Sequence, residues 1–171
     1  MLRKPNLKTL LEPFQIGQVK TRNRIVKPAQ GMALATEDGH VSDLNLGFYE
    51  ALAKGGVGLN IVEVTGIDFP ASQTGPRRLC IDDDKFIPGL SELAQLIHKH
   101  GCPTFIQLVH GGPSHPSKLS GLQPVAANSC SCWIEDFLFR ALGRRRSRRY
   151  RPSALRSRYS SADELLFLFE R

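Results

Sequence analysis

Leu59-Asn60-Ile61-Val62-Glu63-Val64-Thr65 and Thr104-Phe105-Ile106-Gln107-Leu108-Val109 are two short, largely apolar runs, and what lies between them decides the fold class. From about residue 86 to residue 100, Leu90, Leu93, Ala94 and Ile97 recur at helical spacing. Pro88 suits the first turn of that helix and Gly101 its end. A strand, an amphipathic helix and a second strand predict a parallel pair with a helical crossover. Runs this continuously apolar suit strands covered by helices.

The same reading extends toward the N-terminus. Ser42 or Asp43 can cap an earlier helix, with Leu44, Phe48, Ala51 and Leu52 on one face and Gly55-Gly56 as its stop. Ahead of it, residues 36–40 form a polar loop with an Asp38-Gly39 turn. Arg24-Ile25-Val26-Lys27-Pro28 reads as a strand ended by its proline, which cannot donate to a ladder. Phe14 to Thr21 alternates apolar and polar residues around Gly17, as a hairpin does. The predicted order is hairpin, β, α, β, α, β. That order fits a barrel segment or a doubly wound sheet. Lys27-Pro28-Ala29-Gln30-Gly31-Met32 lacks the GxGxxG phosphate fingerprint of the latter. At 171 residues the chain is shorter than the roughly 200 residues of the smallest complete (β/α)₈ barrels.

Charge divides the chain. The formal net charge is +7. Residues 1–127 carry 13 Lys and Arg against 11 Asp and Glu, whereas residues 128–171 carry 10 against 5, and all 10 are Arg. The tail, with Arg144-Arg145-Arg146-Ser147-Arg148-Arg149, shows no further βα unit beyond a turn or two of helix at residues 162–169. Two pieces are expected: residues 1–127, an α/β unit, and residues 128–171, an irregular Arg-rich tail of the kind an out-of-frame or disordered segment would give. The tail could bind nucleic acid, but it has few interleaved aromatics and no surrounding motif. No apolar run approaches a membrane span, and no signal-peptide h-region follows Met1. Cys80, Cys102, Cys130 and Cys132 match no zinc or disulfide spacing, so a reducing cytoplasm is expected.

Several residues could carry chemistry. Gln107, in the middle of an apolar strand, is expected to be buried and to need a partner. It can bond the backbone, or face a heterocycle that presents an N–H beside a carbonyl, such as a flavin's pyrimidine edge. Pro28-Ala29-Gln30-Gly31 leaves the first strand with small residues that let a planar ligand approach the backbone. Glu63, inside a strand, must be paired, and a structural ion pair is favoured over catalysis. His110 and His115 flank Gly111-Gly112-Pro113-Ser114 and could act as acid, base or ligand. His98 and His100, two apart, point away from each other on a helix and make a poor metal pair.

At these residues the chain resembles the old yellow enzyme family, also called the NADH:flavin oxidoreductase / NADH oxidase family. The resemblance rests on Leu11-Glu12-Pro13-Phe14-Gln15-Ile16-Gly17 with Arg22-Asn23-Arg24-Ile25-Val26. It continues at Gly39-His40-Val41-Ser42 leading into Phe48-Tyr49, and at Gly56-Val57-Gly58-Leu59 through Thr65. Phe105 to Gly112 and Gln123-Pro124-Val125-Ala126-Ala127 complete it. It implies the opening part of a TIM barrel: an N-terminal hairpin closing the floor, then about three βα units. It also implies FMN across the C-terminal ends of the strands, NAD(P)H as reductant, and an α,β-unsaturated carbonyl or enoyl substrate. By position, Pro28, Ala29 and Gln30 would line the flavin, Val64 would touch the ring, and Gln107 would bond the pyrimidine edge.

The resemblance ends near Ala127. The family's His–Asn or His–His pair, its Tyr proton donor and its phosphate loops have no counterpart, so no catalytic residue and no metal ligand is assigned. Pro113 stands where the family usually has Arg, and Asn60 where it has an apolar residue. The expectation is a truncated relative of an FMN-dependent oxidoreductase. Two alternatives are a basic nucleic-acid-binding module acting through the tail, and a barrel of other chemistry with Glu63 or His110 catalytic.

Overall fold

The computed structural model describes residues 7–126 and the two-residue strand at 140–141. A helical turn, α1 (Lys8–Leu11), precedes the hairpin of β1 (Phe14–Ile16) and β2 (Val19–Thr21). The hairpin turns at Gly17, whose φ of +58° only glycine adopts without strain. Then come β3 (Val26–Lys27), α2 (Asp43–Lys54), β4 (Leu59–Gly66), β5 (Leu79–Cys80), α3 (Ile87–His98) and β6 (Thr104–Val109). A short α4 (Ser117–Ser120) leads to β7 (Val125–Ala126), which pairs with β8 (Arg140–Ala141). Other properties expected of residues 128–171, including the turn of helix at 162–169, lie outside the described residues.

The three main strands are parallel, as the alternation of elements predicts. Val26 pairs with Leu59, and β4 pairs with β6 from Asn60↔Thr104 to Gly66↔Val109. The small strand β5 joins the end of β4 at Thr65↔Leu79. Among the described residues the sheet is open and closes no barrel. Among the described residues no helix is long and apolar enough to cross a membrane.

Local chemistry sets the helix ends. Ser42 Oγ accepts from the Asn45 N–H while Asn45 Oδ1 accepts from the Ser42 N–H, a reciprocal capping box with Asn in the third position. Gly56, at φ +94°, follows the end of α2. Asp83 caps a 3₁₀ turn at Asp84–Phe86 that feeds α3, and Pro88 occupies the first turn of α3. Arg22 fixes the hairpin beneath the sheet. Its guanidinium donates to the carbonyls of Ala53 (2.7 Å), Val57 (3.0 Å) and His100 (3.1 Å), where α2 and α3 end and the next strands begin. The hairpin therefore sits at the N-terminal ends of the strands.

One core lies between the sheet and the helices: Tyr49 and Ala53 from α2, Leu93 and Ile97 from α3, with Val62, Leu79 and Cys102. A second cluster joins Cys80, Ile81, Phe86 and Leu90. The fully buried stripe of α2 is Asn45, Tyr49 and Ala53; of the expected Leu44, Phe48, Ala51 and Leu52, Phe48 and Leu52 are half-buried against the core, whereas Leu44 and Ala51 are exposed. Leu44 is 56% exposed. The helix is rotated because Asn45 and Tyr49 bond the buried backbone and carboxylate of Glu63, so polar partners outweigh the apolar count. The first strand is also shorter than Arg24–Pro28 suggests, since only Val26 and Lys27 pair. Asn60 is fully buried, and its side-chain amide meets no hydrogen-bond partner among the described residues.

Candidate functional site

Register decides which side chains share a face. Val62 packs into the helix-covered core, and Ile106, its partner on β6, packs against it. Side chains alternate along a strand, so Gln107 points to the opposite face. Between Val62 and Val64 the ladder slips: Val62 pairs with Ile106 and Val64 with Gln107, leaving Glu63 as an extra, bulged residue. The slip places Val64 directly opposite Gln107 on the face the helices do not cover. On the same face Val26 of β3 is 42% exposed.

Gln107 is exposed, not buried as its strand context predicts. β6 borders the open side of the sheet, so its uncovered face meets solvent, and the amide needs no protein partner. Pro28 and Gln30 are exposed and Ala29 is half-buried, in the segment that leaves the C-terminal end of β3. That segment is tied to β4, because the Met32 N–H donates to Glu63 Oε2 at 2.9 Å. The five residues Pro28, Ala29, Gln30, Val64 and Gln107 thus lie on adjacent strands or strand exits, toward one end of the sheet.

Glu63 stands behind this face. It is fully buried. Asn45 Nδ2 donates to its Oε1 at 3.0 Å, and Arg78 Nη1 lies 3.6 Å from its Oε2. Its backbone N–H, which the bulge takes from the ladder, donates to the Tyr49 hydroxyl at 2.7 Å. Burial raises the carboxyl pKa above its ordinary value. The Met32 N–H, Arg78, Lys27 and Asn45 oppose that rise. The Lys27 ammonium lies over the rings of Tyr49 and Phe48, at 5.2 and 5.6 Å from their centres, and burial lowers its pKa against the pull of Glu63. A carboxylate so enclosed does not itself touch a ligand on the open face.

The histidines are held in different ways. His110, at the end of β6, accepts the Gly112 N–H at Nδ1 (3.0 Å), which turns Nε2 toward Asp68 Oδ2 at 3.8 Å. His115 is buried. Its Nδ1 lies 2.9 Å from the Gln73 carbonyl, which can only accept, and its Nε2 meets the Ser120 hydroxyl. The residues that sequence reasoning missed are Asn45, Tyr49 and Arg78. Glu63 in an apolar strand signals that a partner must exist, but nothing along the chain names the partner.

The open face brings together polar and aliphatic groups. Gln107 offers a donor and an acceptor together, Val64 an aliphatic surface, and Pro28-Ala29 a low wall. Comparison with known proteins identifies the family of the chain. A sequence profile described as the NADH:flavin oxidoreductase / NADH oxidase family matches residues 9–140. An NADH oxidase of Thermoanaerobacter brockii is 42% identical over 124 residues, covering 72% of this chain and 19% of that protein. A metal reductase of Desulforamulus reducens is 39% identical over 120 residues, covering 70% of this chain and 17% of that protein. The chain spans about a fifth of the length of these curated relatives. The solved structure of the old yellow enzyme homologue from Zymomonas mobilis superposes with a TM-score of 0.72 at 27% identity, over 82% of this chain and 41% of that one.

Proposed function

Because the chain belongs to the NADH:flavin oxidoreductase / NADH oxidase family, we propose that residues 7–126 form part of an FMN-dependent oxidoreductase and supply one side of its flavin bed. The observation that carries this reading is the pairing of Val64 with an exposed Gln107 on the uncovered face of a parallel sheet. Ligands of barrels with parallel strands sit at the C-terminal ends of those strands. When bound, FMN would supply hydride transfer between NAD(P)H and an activated alkene, an α,β-unsaturated carbonyl or enoyl compound.

The chain's own residues have defined tasks in this reading. Gln107 holds the pyrimidine edge through its amide, accepting from the ring N–H and donating to a ring carbonyl. Val64 excludes water from beneath the ring. Pro28, Ala29 and Gln30 line its other edge. No residue of residues 7–126 is assigned a proton transfer, so the unit binds and orients, and the reacting partners of the family's chemistry would come from elsewhere. The working compartment is the cytoplasm, which agrees with the free thiols of Cys80 and Cys102.

Titrating FMN into the chain while following flavin fluorescence tests the reading. Saturable binding that weakens about fivefold or more in Gln107→Leu, the scale of one lost hydrogen bond, is expected. Binding that is indifferent to Gln107→Leu contradicts the assignment.

A further inference from the structure

A fully buried carboxylate is costly unless something requires it, and an apolar residue of similar size often serves stability as well. Glu63 contacts three separate elements: the segment after β3 through the Met32 N–H, α2 through Asn45, and the approach to β5 through Arg78. It is also the residue inserted in β4, with its N–H held by Tyr49 and its carbonyl accepting from Thr65 Oγ1 at 2.9 Å. Were Glu63 paired in a regular ladder instead of bulged, Val64 would oppose Leu108 and turn toward the helices, as would every second residue after it. The Arg78 guanidinium lies so close to Gly31 that a Cβ there would collide with its Nη1 and Cζ. Arg78 is also mostly buried, with 18% of its side chain exposed.

From this we infer that Glu63 is a positioning residue: seated in the bulge of β4, it fixes the segment of residues 28–32 and the direction of Val64, and so shapes the bed for the flavin ring. The inference rests on the proposed FMN site. Gly31 is its counterpart, since only a residue without a Cβ lets Arg78 lie flat between that segment and the carboxylate. A purely structural ion pair would hold the core together without affecting the open face.

Two measurements on the full chain separate these roles. Hydrogen exchange of the ligand-free protein reports residues 28–32 and α3 separately, and flavin fluorescence reports FMN affinity. In Glu63→Gln, exchange at residues 28–32 should quicken on the order of tenfold, the scale of one charge-assisted hydrogen bond, while α3 stays protected. FMN affinity should fall by a similar factor. Unchanged exchange at residues 28–32 overturns the inference, and so does faster exchange with unchanged FMN affinity. If α3 also loses protection, the fold has failed, and Gly31→Ala decides instead: it keeps the carboxylate, displaces Arg78, and should weaken FMN binding with α3 intact. Equal affinity in Gly31→Ala overturns the inference. Should the unaltered chain bind no FMN, the proposed function falls, and exchange at residues 28–32 alone decides whether Glu63 holds that segment.

Discussion

The two faces of the parallel sheet differ in kind. One is sealed by α2 and α3, with Tyr49, Leu93 and Ile97 fully buried against Val62. The other shows solvent an aliphatic and amide surface at Val26 and Gln107. Both are built from the same few strands, whose residues alternate between them. The difference teaches that stability and ligand contact are separated by strand parity, and that Glu63, in its bulge, links the two.

The contrast is broken most severely in the core. Leu93→Ala should lower unfolding free energy by about 2–5 kcal/mol through lost burial and the cavity left behind. Gln107→Ala, on the open face, should change it by no more than about 0.5 kcal/mol. Urea melts of the two variants check the pair, and similar losses would show that the open face is packed in solution. Next in size is Tyr49→Phe. It strands the buried Glu63 N–H and should lower stability by about 1–3 kcal/mol in the same melts, although no apolar contact is removed.

A smaller effect lies in pH. Burial raises the Glu63 pKa, so the native chain keeps that proton to higher pH than the unfolded chain does. The stability it contributes is complete below its ordinary value of 4.5 and fades as pH rises through the higher native value. Glu63→Gln has no proton to lose there. Its stability in melts from about pH 4 to 7 should therefore lack this downward component. The mildest test is chemical. Burial pushes the Cys80 thiol up to about 12, so on the covered side it should resist alkylation at neutral pH until the protein is unfolded, as mass spectrometry of iodoacetamide-treated chain would show.

Much of the sheet was legible along the chain, because apolar runs at Leu59–Thr65 and Thr104–Val109 and a clean helical period between them leave little choice of architecture. Capping by Ser42 and the stop at Gly55-Gly56 were equally visible, being local chemistry. What escaped was long-range. The buried face of α2 centres on Asn45 and Tyr49, whose partner is on β4, so counting its apolar residues found only its flank, Phe48 and Leu52. The bulge at Glu63 has no sequence signal, yet it determines the facing of Val64. Gln107 stands out along the chain as an amide in an apolar run, but its exposure depends on β6 lying next to an uncovered face. The small pairings of β5 and β7 were too short to show any period.

The most direct test of the central claim, that the uncovered face receives the flavin, is hydrogen exchange of the full chain with and without saturating FMN. Slowed exchange confined to residues 28–32, 63–66 and 105–110 is the predicted result. Protection only at the hairpin of β1 and β2, or no protection anywhere despite saturable binding, would contradict it.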